Sequence, residues 1–422
     1  MPETQRVPLQ ELVHLVTDKI LLGKESTLPY VGLEHMESGS PDLRGHAMAS
    51  DSISTNCIFA AGDTLFGKLR PNLRKVVIAP FDGYCSTDIL VLRATAASEP
   101  RFVARLMQSE DVASQAIRTA IGTKMPRTSW HALRKMPVHA PPLVEQSLIA
   151  EVADRLDEAI RRTEQLGEKL KLAKQGLLHD LLTRGIDDNG ELRDPIRHPE
   201  QFTTIRLGRI PSKWRVAPLA RLAAVLTGVT LGRHLSGSGT VELPYLRVAN
   251  VQDGHIDTSD IRSVRVWQKD VPSLALAPDD VLMTEGGDFD KLGRGAVWDG
   301  RIEPCLHQNH IFRVRCEKRL IAPAFLNIVS GSAYGKRYFA LSSKQTTNLA
   351  SINSTQLKAF PVPYPTLEEQ ARIVSTMKSV DDRLASETSM GHKLRFLKQA
   401  LMDDLLTGRV RVTPLLEKDS TP

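Results

Sequence analysis

The chain has 422 residues, 41% of them apolar and 25% charged, which is the composition of a globular protein too long for one ordinary core. Its net charge of +6 favours a polyanionic partner such as nucleic acid, while an aromatic content of 5% argues against a base-stacking platform for single strands. The sequence has no apolar run of about 18 residues and no secretory signal pattern at its N-terminus, so we expect no membrane contact. Four scattered cysteines indicate free thiols in a cytoplasmic protein.

Residues 1–142 are expected to form a first globule of mixed α/β structure. Short β-like runs, among them "KVVIA" and "DILVLRA", are separated by turn residues. The segment "GKLRPNLRK" carries Lys68, Arg70, Asn72, Arg74 and Lys75, and the later segment "GTKMPRTS" carries Thr123, Lys124, Arg127 and Thr128. Basic side chains bind phosphates or guanine edges, and asparagine can read adenine. From the residues alone, each segment is either a DNA contact or a solvated basic loop.

Residues 143–184 are predicted to form one long helix. Prolines exclude helix just before Leu143, and the apolar residues after them recur at heptad spacing. One seam position holds Ile149, Leu156, Leu170 and Leu177, and the other holds Val152, Ala159, Leu166 and Ala173. The helix would be about 50–60 Å long, which is more than one small domain can bury. We therefore prefer pairing with a second long helix over packing within its own domain.

A second globule is expected at residues 215–366, after a polar, Gly- and Pro-rich linker at 185–214. A weak, gapped repeat relates it to the first: "AGDTLFGKLR" at 61 corresponds to "PDDVLMTEGG" at 278, and "STDILVLR" at 86 corresponds to "QNHIFRVR" at 308. The counterpart of "GTKMPRTS" is "SSKQTTN", with Lys344, Gln345, Thr346, Thr347 and Asn348 as hydrogen-bonding groups suited to groove readout. Weaker candidates in this globule are Lys291, Arg294, Gln308 and Asn309.

The repeat becomes nearly exact in a second predicted helix at 367–408, which precedes a tail at 409–422. "KLKLAKQGLLHDLLTRG" at 169 recurs as "KLRFLKQALMDDLLTGR" at 393, an offset of 393 − 169 = 224. Both helix ends carry apolar residues on more than one face, namely Leu177, Leu178, Leu181 and Leu182 in the first and Leu401, Met402, Leu405 and Leu406 in the second. Such a face either packs on the globule or is offered to a partner. Two unlike globules followed by two like helices indicate two recognition units joined by a common spacer.

This pattern resembles the DNA-specificity subunit of type I restriction–modification systems, and the resemblance covers essentially the whole chain. Its most specific parts are the phrases "PLVEQ" and "TLEEQ" that open the helices and the two phrases that close them. The segment "LGRIPSKWRVAPL" at 207 opens the second half in the same way, and "TEGGDFDKLGRGAVW" at 284 is similar to a recognition-domain segment of the family.

The resemblance implies an α+β fold in which two pseudo-repeated α/β target-recognition domains are separated by two long antiparallel coiled-coil helices. Each domain would read one half of a bipartite, asymmetric site in double-stranded DNA, so DNA contact becomes the preferred interpretation of the basic loops. Two modification subunits would dock on the helix ends and methylate adenine N6 with S-adenosylmethionine. Restriction subunits that use ATP and Mg²⁺ would join them, while the chain itself would bind no cofactor and catalyse no reaction.

Two other classes of function are weighed against this one. The chain could be a coiled-coil organiser that binds nucleic acid nonspecifically, or an enzyme whose catalytic residues are unfamiliar. The sequence contains no P-loop, no GxGxxG fingerprint and no GxSxG elbow, which argues against the enzyme. Cys305, His307 and His310 in "CLHQNH" could suggest zinc, but there is no second pair of ligands, so we expect a packed strand and no metal.

Overall fold

The computed structural model describes residues 6–21, 26–49, 55–206, 208–232, 235, 237–287, 292–345 and 350–412. The chain divides into two compact units, of which the first combines Met1–Gln165 with Glu387–Pro422 and the second is Leu166–Ser386. Each unit therefore contains one globule together with part of each long helix. The boundaries expected from the sequence kept every helix as a separate segment, whereas the structure divides each helix between the units.

The first globule consists mainly of short strands. These are β1 (Arg6–Pro8), β2 (Val13–Val16), β3 (Lys19–Leu21), β4 (Pro29–Val31), β5 (Ala47–Met48), β6 (Thr55–Phe59), β7 (Thr64–Gly67), β8 (Val76–Ile78), β9 (Gly83–Ser86), β10 (Ile89–Ala94) and β11 (Pro137–His139). Its helices are α1 (Leu9–Leu12), α2 (Pro100–Gln108), α3 (Glu110–Arg118) and α4 (Trp130–Leu133), and the long helix α5 (Leu143–Thr183) comes next.

The second globule repeats this plan. Its strands are β12 (Phe202–Ile205), β13 (Gly208–Pro211), β14 (Arg215–Pro218), β15 (Ala223–Thr227), β16 (Thr240–Leu246), β17 (Arg262–Trp267), β18 (Val281–Thr284), β19 (Gly286–Gly287), β20 (Gly295–Val297), β21 (Leu306–His307), β22 (Ile311–Cys316), β23 (Lys344–Gln345), β24 (Ala350–Ser351) and β25 (Pro361–Tyr364). Its helices are α6 (Val271–Leu274), α7 (Pro323–Gly331), α8 (Ala333–Ser342) and α9 (Ser354–Lys358), and the long helix α10 (Leu367–Thr407) comes next.

A four-stranded antiparallel sheet is common to both globules. Its order is β2-β10-β7-β8 in the first and β15-β22-β18-β20 in the second. In the first, buried Asp63 accepts a backbone amide at 2.8 Å and the Nε of Arg93 at 2.7 Å. Asp280 and Arg315 repeat both contacts at the same distances in the second. The weak repeat therefore preserves a buried carboxylate and the arginine that neutralises it.

A second sheet differs between the globules. In the first globule it has five strands in the order β3-β6-β9-β4-β5, and in the second it has three in the order β17-β16-β21. The parallel pairing of β4 with β9 recurs as β16 with β21. Strands β3 and β6 have no counterpart in the three-stranded sheet, as far as residues 208–232, 237–287 and 292–345 are concerned.

The apolar ends of the long helices belong to the globular cores. Leu181 and Leu182 are 1% and 7% exposed in the core of the second unit. Met402, Leu405 and Leu406 are 8%, 2% and 5% exposed in the core of the first unit. Their neighbours Leu177, Leu178 and Leu401 are half-buried against the same cores. The prediction that these eight residues bind a partner is wrong for the five buried ones, because the surplus apolar face is covered by the chain's own globules.

Helices α5 and α10 run antiparallel in the first unit. Asp157 pairs with Lys398, and Glu164, one heptad further along α5, pairs with Arg395, which comes earlier in α10. Both helices begin at the residues expected from the sequence, since the preceding prolines cannot continue a helix backwards.

The same ion pair occurs once in each unit. Lys174 pairs with Asp381 in the second unit, and the offset of 224 converts this pair into Lys398 and Asp157 of the first. Away from the helix ends, by contrast, the predicted apolar seams are poorly buried. Leu166 of the predicted seam in α5 is 37% exposed, and the apolar side chains of Met390 and Leu397 in α10 are 49% and 51% exposed. Ion pairs between the helices accordingly contribute where the apolar residues are exposed.

A glutamine in the first turn of each long helix joins that helix to its globule. Gln146 accepts the amide of Glu99 at 2.8 Å and donates to the carbonyl groups of Ala97 and Pro141 at 3.1 and 2.8 Å. Gln370 makes the equivalent three bonds, to the amide of Ala322 and to the carbonyl groups of Leu320 and Pro365, at 2.8 to 3.0 Å. Both glutamines are at most 1% exposed, so all of their hydrogen-bonding groups must find partners inside the protein.

The glutamate before each glutamine binds the chain that emerges from the other helix. Glu369 accepts from both terminal nitrogens of Arg193 at 2.6 and 3.0 Å, from the amide of Ile186 at 2.9 Å and from the indole of Trp214 at 3.1 Å. In the first unit the carboxylate of Glu145 pairs with the guanidinium of Arg411, which lies just after α10. The "EQ" of both repeated phrases is therefore structural.

The segment at 185–214 is not a free linker. Ile186, Ile210 and Trp214 are buried in the core of the second unit, and β12 and β13 form a hairpin within it. Its polar composition led to the linker prediction, but three apolar side chains and the Arg193–Glu369 pair fix it to the globule.

We expect Glu369→Gln to destabilise the second unit by about 3–5 kcal/mol, because it leaves the nearly buried guanidinium of Arg193 without its carboxylate. The matched control is Glu368→Gln, since the Glu368 side chain is 85% exposed and lies 3.8 Å from Arg372. That change should stay within about 0.5 kcal/mol. Urea unfolding measures both, and equal stabilities of the two variants would contradict the role given to Glu369.

Candidate nucleic-acid interface

The structure brings the two predicted basic segments of the first globule together. The amide of Arg70 donates to the carbonyl of Pro126 at 2.7 Å, and the amide of Thr128 donates to the carbonyl of Lys68 at 3.0 Å. A bridge between Leu69 and Arg127 lies between these two bonds. Residues 68–75 and 121–128, here called the first loop pair, therefore form one surface although more than 40 residues lie between them in sequence.

Four of the predicted contact residues are exposed on this surface. Arg70, Asn72, Thr123 and Lys124 are all solvent-exposed, and within the described part of the chain their side chains make no hydrogen bond or ion pair. They present two positive charges, one amide and one hydroxyl, which is the mixture that phosphate binding and base readout require.

Several other predicted contact residues hold the loop pair in shape. Lys75 donates to the carbonyl of Leu33 at 2.7 Å, and Arg74 pairs with Glu110 at 2.7 Å. Thr128 is 3% exposed and shares a hydrogen bond with the Thr119 hydroxyl, so the prediction that Thr128 contacts DNA is wrong.

Arg127 is held by Asp88, a residue that no sequence motif singled out. The Nε and one terminal nitrogen of Arg127 donate to the two carboxylate oxygens of Asp88 at 2.8 and 3.0 Å. The hydrogen bond from Arg127, opposed by burial and aided by the nearby charge of Lys68, lowers the pKa of Asp88. The pair joins the strand end at 88 to the second segment of the loop pair.

The backbone of the first loop is unusual for the residues that form it. Arg70 and Arg74 have φ angles of +51° and +48°, and a short 3₁₀ turn from Pro71 to Leu73 lies between them. A left-handed conformation costs a residue with a side chain about 1–2 kcal/mol and persists only where surrounding contacts enforce it. Here the bond from Arg70 to Pro126 and the pairing of Arg74 with Glu110 supply those contacts.

The second globule contains an equivalent loop pair, formed by residues 285–287, 344–345 and 350–351 of the described part of the chain. Gly286 pairs with Ser351, as Leu69 pairs with Arg127. The amide of Ile352 donates to the carbonyl of Glu285 at 2.8 Å, which repeats the bond from Thr128 to Lys68.

The DNA-contact residues predicted in the second globule lie partly within and partly outside the described residues. The backbone of Lys344 and Gln345 forms β23, which pairs with β24. Arg294 is mostly buried, with its guanidinium donating to Gln252 at 3.1 Å, and Gln308 and Asn309 are half-buried beside the strand end at 310. The predicted contacts Lys291, Thr346, Thr347 and Asn348 lie outside the described residues.

The loop pairs share their backbone pairing at the described positions but not their side chains. At equivalent positions the first globule carries Lys68, Asp88 and Arg127, and the second carries Glu285, His310 and Ser351. The Asp88–Arg127 pair is replaced by a contact of 2.6 Å between Nδ1 of His310 and Oε2 of Glu285. The weak repeat aligns these positions with offsets of 285 − 68 = 217, 310 − 88 = 222 and 351 − 127 = 224. Glu285 and His310 could therefore have been found by a gapped comparison of the halves, although no single motif contains them.

The zinc site judged improbable from the sequence would consist of Cys305, His307 and His310. Cys305 and His307 are buried beside β22, whereas His310 is exposed and contacts Glu285. Burial lowers the pKa of His307 to about 4, so the ring is neutral. Among the residues that the structure describes, no three His, Cys, Asp or Glu side chains are grouped to hold a metal ion. None of the helices in the described ranges has the length and apolar character needed to cross a membrane.

Comparison with known proteins agrees on one family. The family model for the type I restriction modification DNA specificity domain matches residues 24–172 and 242–392, that is, both halves of the chain. The specificity subunit of the type I restriction enzyme EcoKI from Escherichia coli K12 is 24% identical over 365 residues, covering 80% of this chain and 74% of that protein. The MjaX protein of Methanocaldococcus jannaschii is 28% identical over 213 residues, and there the match spans about half of each chain, 50% and 49%.

Solved structures agree on the fold. A chain from a structure describing complex assembly and conformational transition of the type I restriction–modification system has a TM-score of 0.60 to this chain. Its sequence identity is 20%, and the match covers 97% of this chain and 99% of that one. The arrangement of two globules with two long helices is therefore a known fold.

Proposed function

Because the chain belongs to the family of type I restriction–modification DNA specificity proteins, we propose that it is the subunit that reads a bipartite, asymmetric duplex site for such a system. One observation carries this proposal: each globule holds the same backbone loop pair, and the two pairs carry different side chains. Two recognition domains with the same backbone pairing and different side chains suit a DNA site whose two halves differ in sequence.

The first loop pair supports a division of roles between its exposed residues. Arg70 and Lys124 supply positive charge for phosphates or guanine edges, and Asn72 can bind adenine through its amide. The bonds that hold the loops use backbone groups and the side chains of Asp88, Arg127, Arg74 and Lys75. Bases can therefore be contacted without loss of the loop structure.

The proposed partners are two modification subunits and, with them, restriction subunits. Apolar side chains remain exposed on the long helices and offer a docking surface other than the buried helix ends: Leu172 is 68% exposed, and Phe396 is 76% exposed. S-adenosylmethionine, ATP and Mg²⁺ would be used by those partners, and this chain would supply recognition and a scaffold. Its cytoplasmic location stays a prediction.

The first test compares methyl transfer by the chain alone with methyl transfer by the chain and its modification subunit together. The purified chain, incubated with S-adenosylmethionine and duplex DNA, should transfer no methyl group. Coexpressed with its modification subunit, it should produce methylated adenine at one split sequence motif, detected by methylome sequencing. Methyl transfer by the chain alone would contradict the proposal, and methylation without a defined motif would favour the nonspecific organiser.

The second test concerns Arg70. Arg70→Ala should weaken DNA binding by the complex, and the dependence of affinity on salt assigns the contact. Loss of a phosphate contact weakens all sequences and lowers the salt slope by about one, whereas loss of a base contact costs about 1–3 kcal/mol and relaxes one position of the site.

The matched control for Arg70→Ala is Arg155→Ala, which removes an equal charge from the exposed face of α5. Among the described residues, Arg155 forms an ion pair with Glu151 alone. If the two variants bind DNA equally well, the first loop pair does not face DNA.

The third test concerns the helices as a spacer. Seven residues inserted after both Leu166 and Met390, which are equivalent positions, would lengthen each helix by about 10 Å and keep the heptad phase. The gap between the half-sites should then grow by about three base pairs while the half-sites themselves stay the same. Methylome sequencing measures both. Insertion into α5 alone is the control and should abolish methylation, because the helix ion pairs fall out of register.

A further inference from the structure

Two cysteines of the first globule face each other across neighbouring strands. Cys57 in β6 and Cys85 in β9 are direct partners in an antiparallel pair. Opposed positions of this kind place the Cα atoms about 4.5–5.5 Å apart, which lies within the span of about 4.4–6.8 Å that a disulfide bridges. Both thiols are free in this structure, and β6 belongs to the part of the sheet without a counterpart in the described residues of the second globule.

The two thiols have different surroundings. The Cys85 thiol donates a hydrogen bond to the sulfur of Cys57, and together with the positive charges of Lys19 and Lys68 this outweighs burial and holds the pKa of Cys57 below its usual range. Lys19 is the partner of Cys57 on the opposite strand, β3. The same hydrogen bond and complete burial raise the pKa of Cys85. Cys57 is 7% exposed and Cys85 is 0% exposed, so a small reagent from solvent reaches Cys57 first.

The other two cysteines provide an internal contrast. Burial raises the pKa of Cys305 and of Cys316 to about 12, so neither is a thiolate near neutral pH. Because the thiolate is the reactive form, Cys57 is the reactive thiol of this chain, with Cys85 opposite it, whereas Cys305 and Cys316 are inert.

We propose that Cys57 and Cys85 are a redox modification site, at which a hydroperoxide oxidises the two thiols to a cross-strand disulfide. The Cys57 thiolate attacks the terminal oxygen of hydrogen peroxide, the O–O bond breaks, and hydroxide leaves and is protonated to water. The sulfenic acid formed on Cys57 is then attacked by the sulfur of Cys85, which loses its proton as the second water leaves. Two thiols are oxidised by two electrons, and one peroxide is reduced to two waters.

The disulfide changes the charge next to the first loop pair. Lys68 lies close enough to Cys57 to lower its pKa, and it leads into the exposed residues of that loop pair. Oxidation removes the thiolate and so removes an anionic neighbour of Lys68. The oxidised and reduced forms should therefore differ in DNA affinity, a consequence that rests on the proposed function and is measured separately from the chemistry.

The chemistry is tested on the reduced full chain. It is treated with hydrogen peroxide, blocked with an alkylating reagent, digested and mapped by mass spectrometry. A peptide linked through Cys57 and Cys85 should accumulate while Cys305 and Cys316 remain alkylated as free thiols. Oxidation of all four cysteines at one rate, or absence of the linked peptide, would overturn the proposal.

Two variants test the order of attack and keep the proposal falsifiable if one of them folds poorly. In Cys85→Ser, Cys57 should stop at a sulfenic acid that dimedone traps. In Cys57→Ser, Cys85 should stay reduced. Trapping of Cys85 in place of Cys57 would overturn the assignment of the attacking thiol.

The effect on recognition has its own control. Peroxide should change the DNA affinity of the wild-type complex and leave a complex with Cys57→Ser and Cys85→Ser unchanged. If the linked peptide forms and the affinity of the wild-type complex does not change, the modification site stands and its link to DNA reading fails. If neither protein binds DNA in any state, it is the proposed function that fails.

Discussion

A buried carboxylate at the start of each long helix places the strongest constraint on this chain. Glu369 and Glu145 are 7% and 4% exposed, and an unpaired charge at such depth costs several kcal/mol. Glu369, at the start of α10, pairs with Arg193, which follows the end of α5. Glu145, at the start of α5, pairs with Arg411, which follows the end of α10. The antiparallel path of the helices is thus a condition for neutralising these charges.

The neighbouring glutamines extend the same constraint to the globules. Gln146 and Gln370 fill their hydrogen-bonding capacity with backbone groups of the globule and of the proline-rich segment just before the helix. Globule, helix start and returning chain therefore meet at one dipeptide. This explains why "VEQ" and "EEQ" agree between halves whose globules differ, without any role in chemistry.

The sequence predicted the helices well because their signals are local. Prolines mark the starts at Leu143 and Leu367, and heptad spacing marks the helical residues beyond them. The surface that covers an apolar face is not a local property, so the leucines at 181 and 182 could be assigned to a partner or to a core with equal reason. The segment at 185–214 was misjudged for a related reason: three buried apolar side chains outweigh a polar composition that looks like a linker.

The loop pairs could have been found from the sequence only by combining two separate offsets. The bridge between Leu69 and Arg127 becomes the bridge between Gly286 and Ser351 with offsets of 286 − 69 = 217 and 351 − 127 = 224. The gap between those offsets conceals the relation from any ungapped comparison. The sequence also could not distinguish Thr123 from Thr128, two threonines of one segment, because burial decides the difference: Thr123 is exposed and Thr128 is buried.

The way the loop pairs are held would allow one fold to serve unlike half-sites, as the proposed function requires. Bonds between backbone groups fix the position of the loops, and backbone groups are the same whatever side chains the positions carry. The first loop is fixed further by Arg74 and Lys75, which hold the left-handed conformation of Arg70 in the free chain. A loop ordered in advance loses little conformational entropy on binding, and more of the contact energy remains for discrimination between bases. Under the proposed function, recognition residues can therefore change one at a time, because the exposed side chains of this surface are not those that hold the loop.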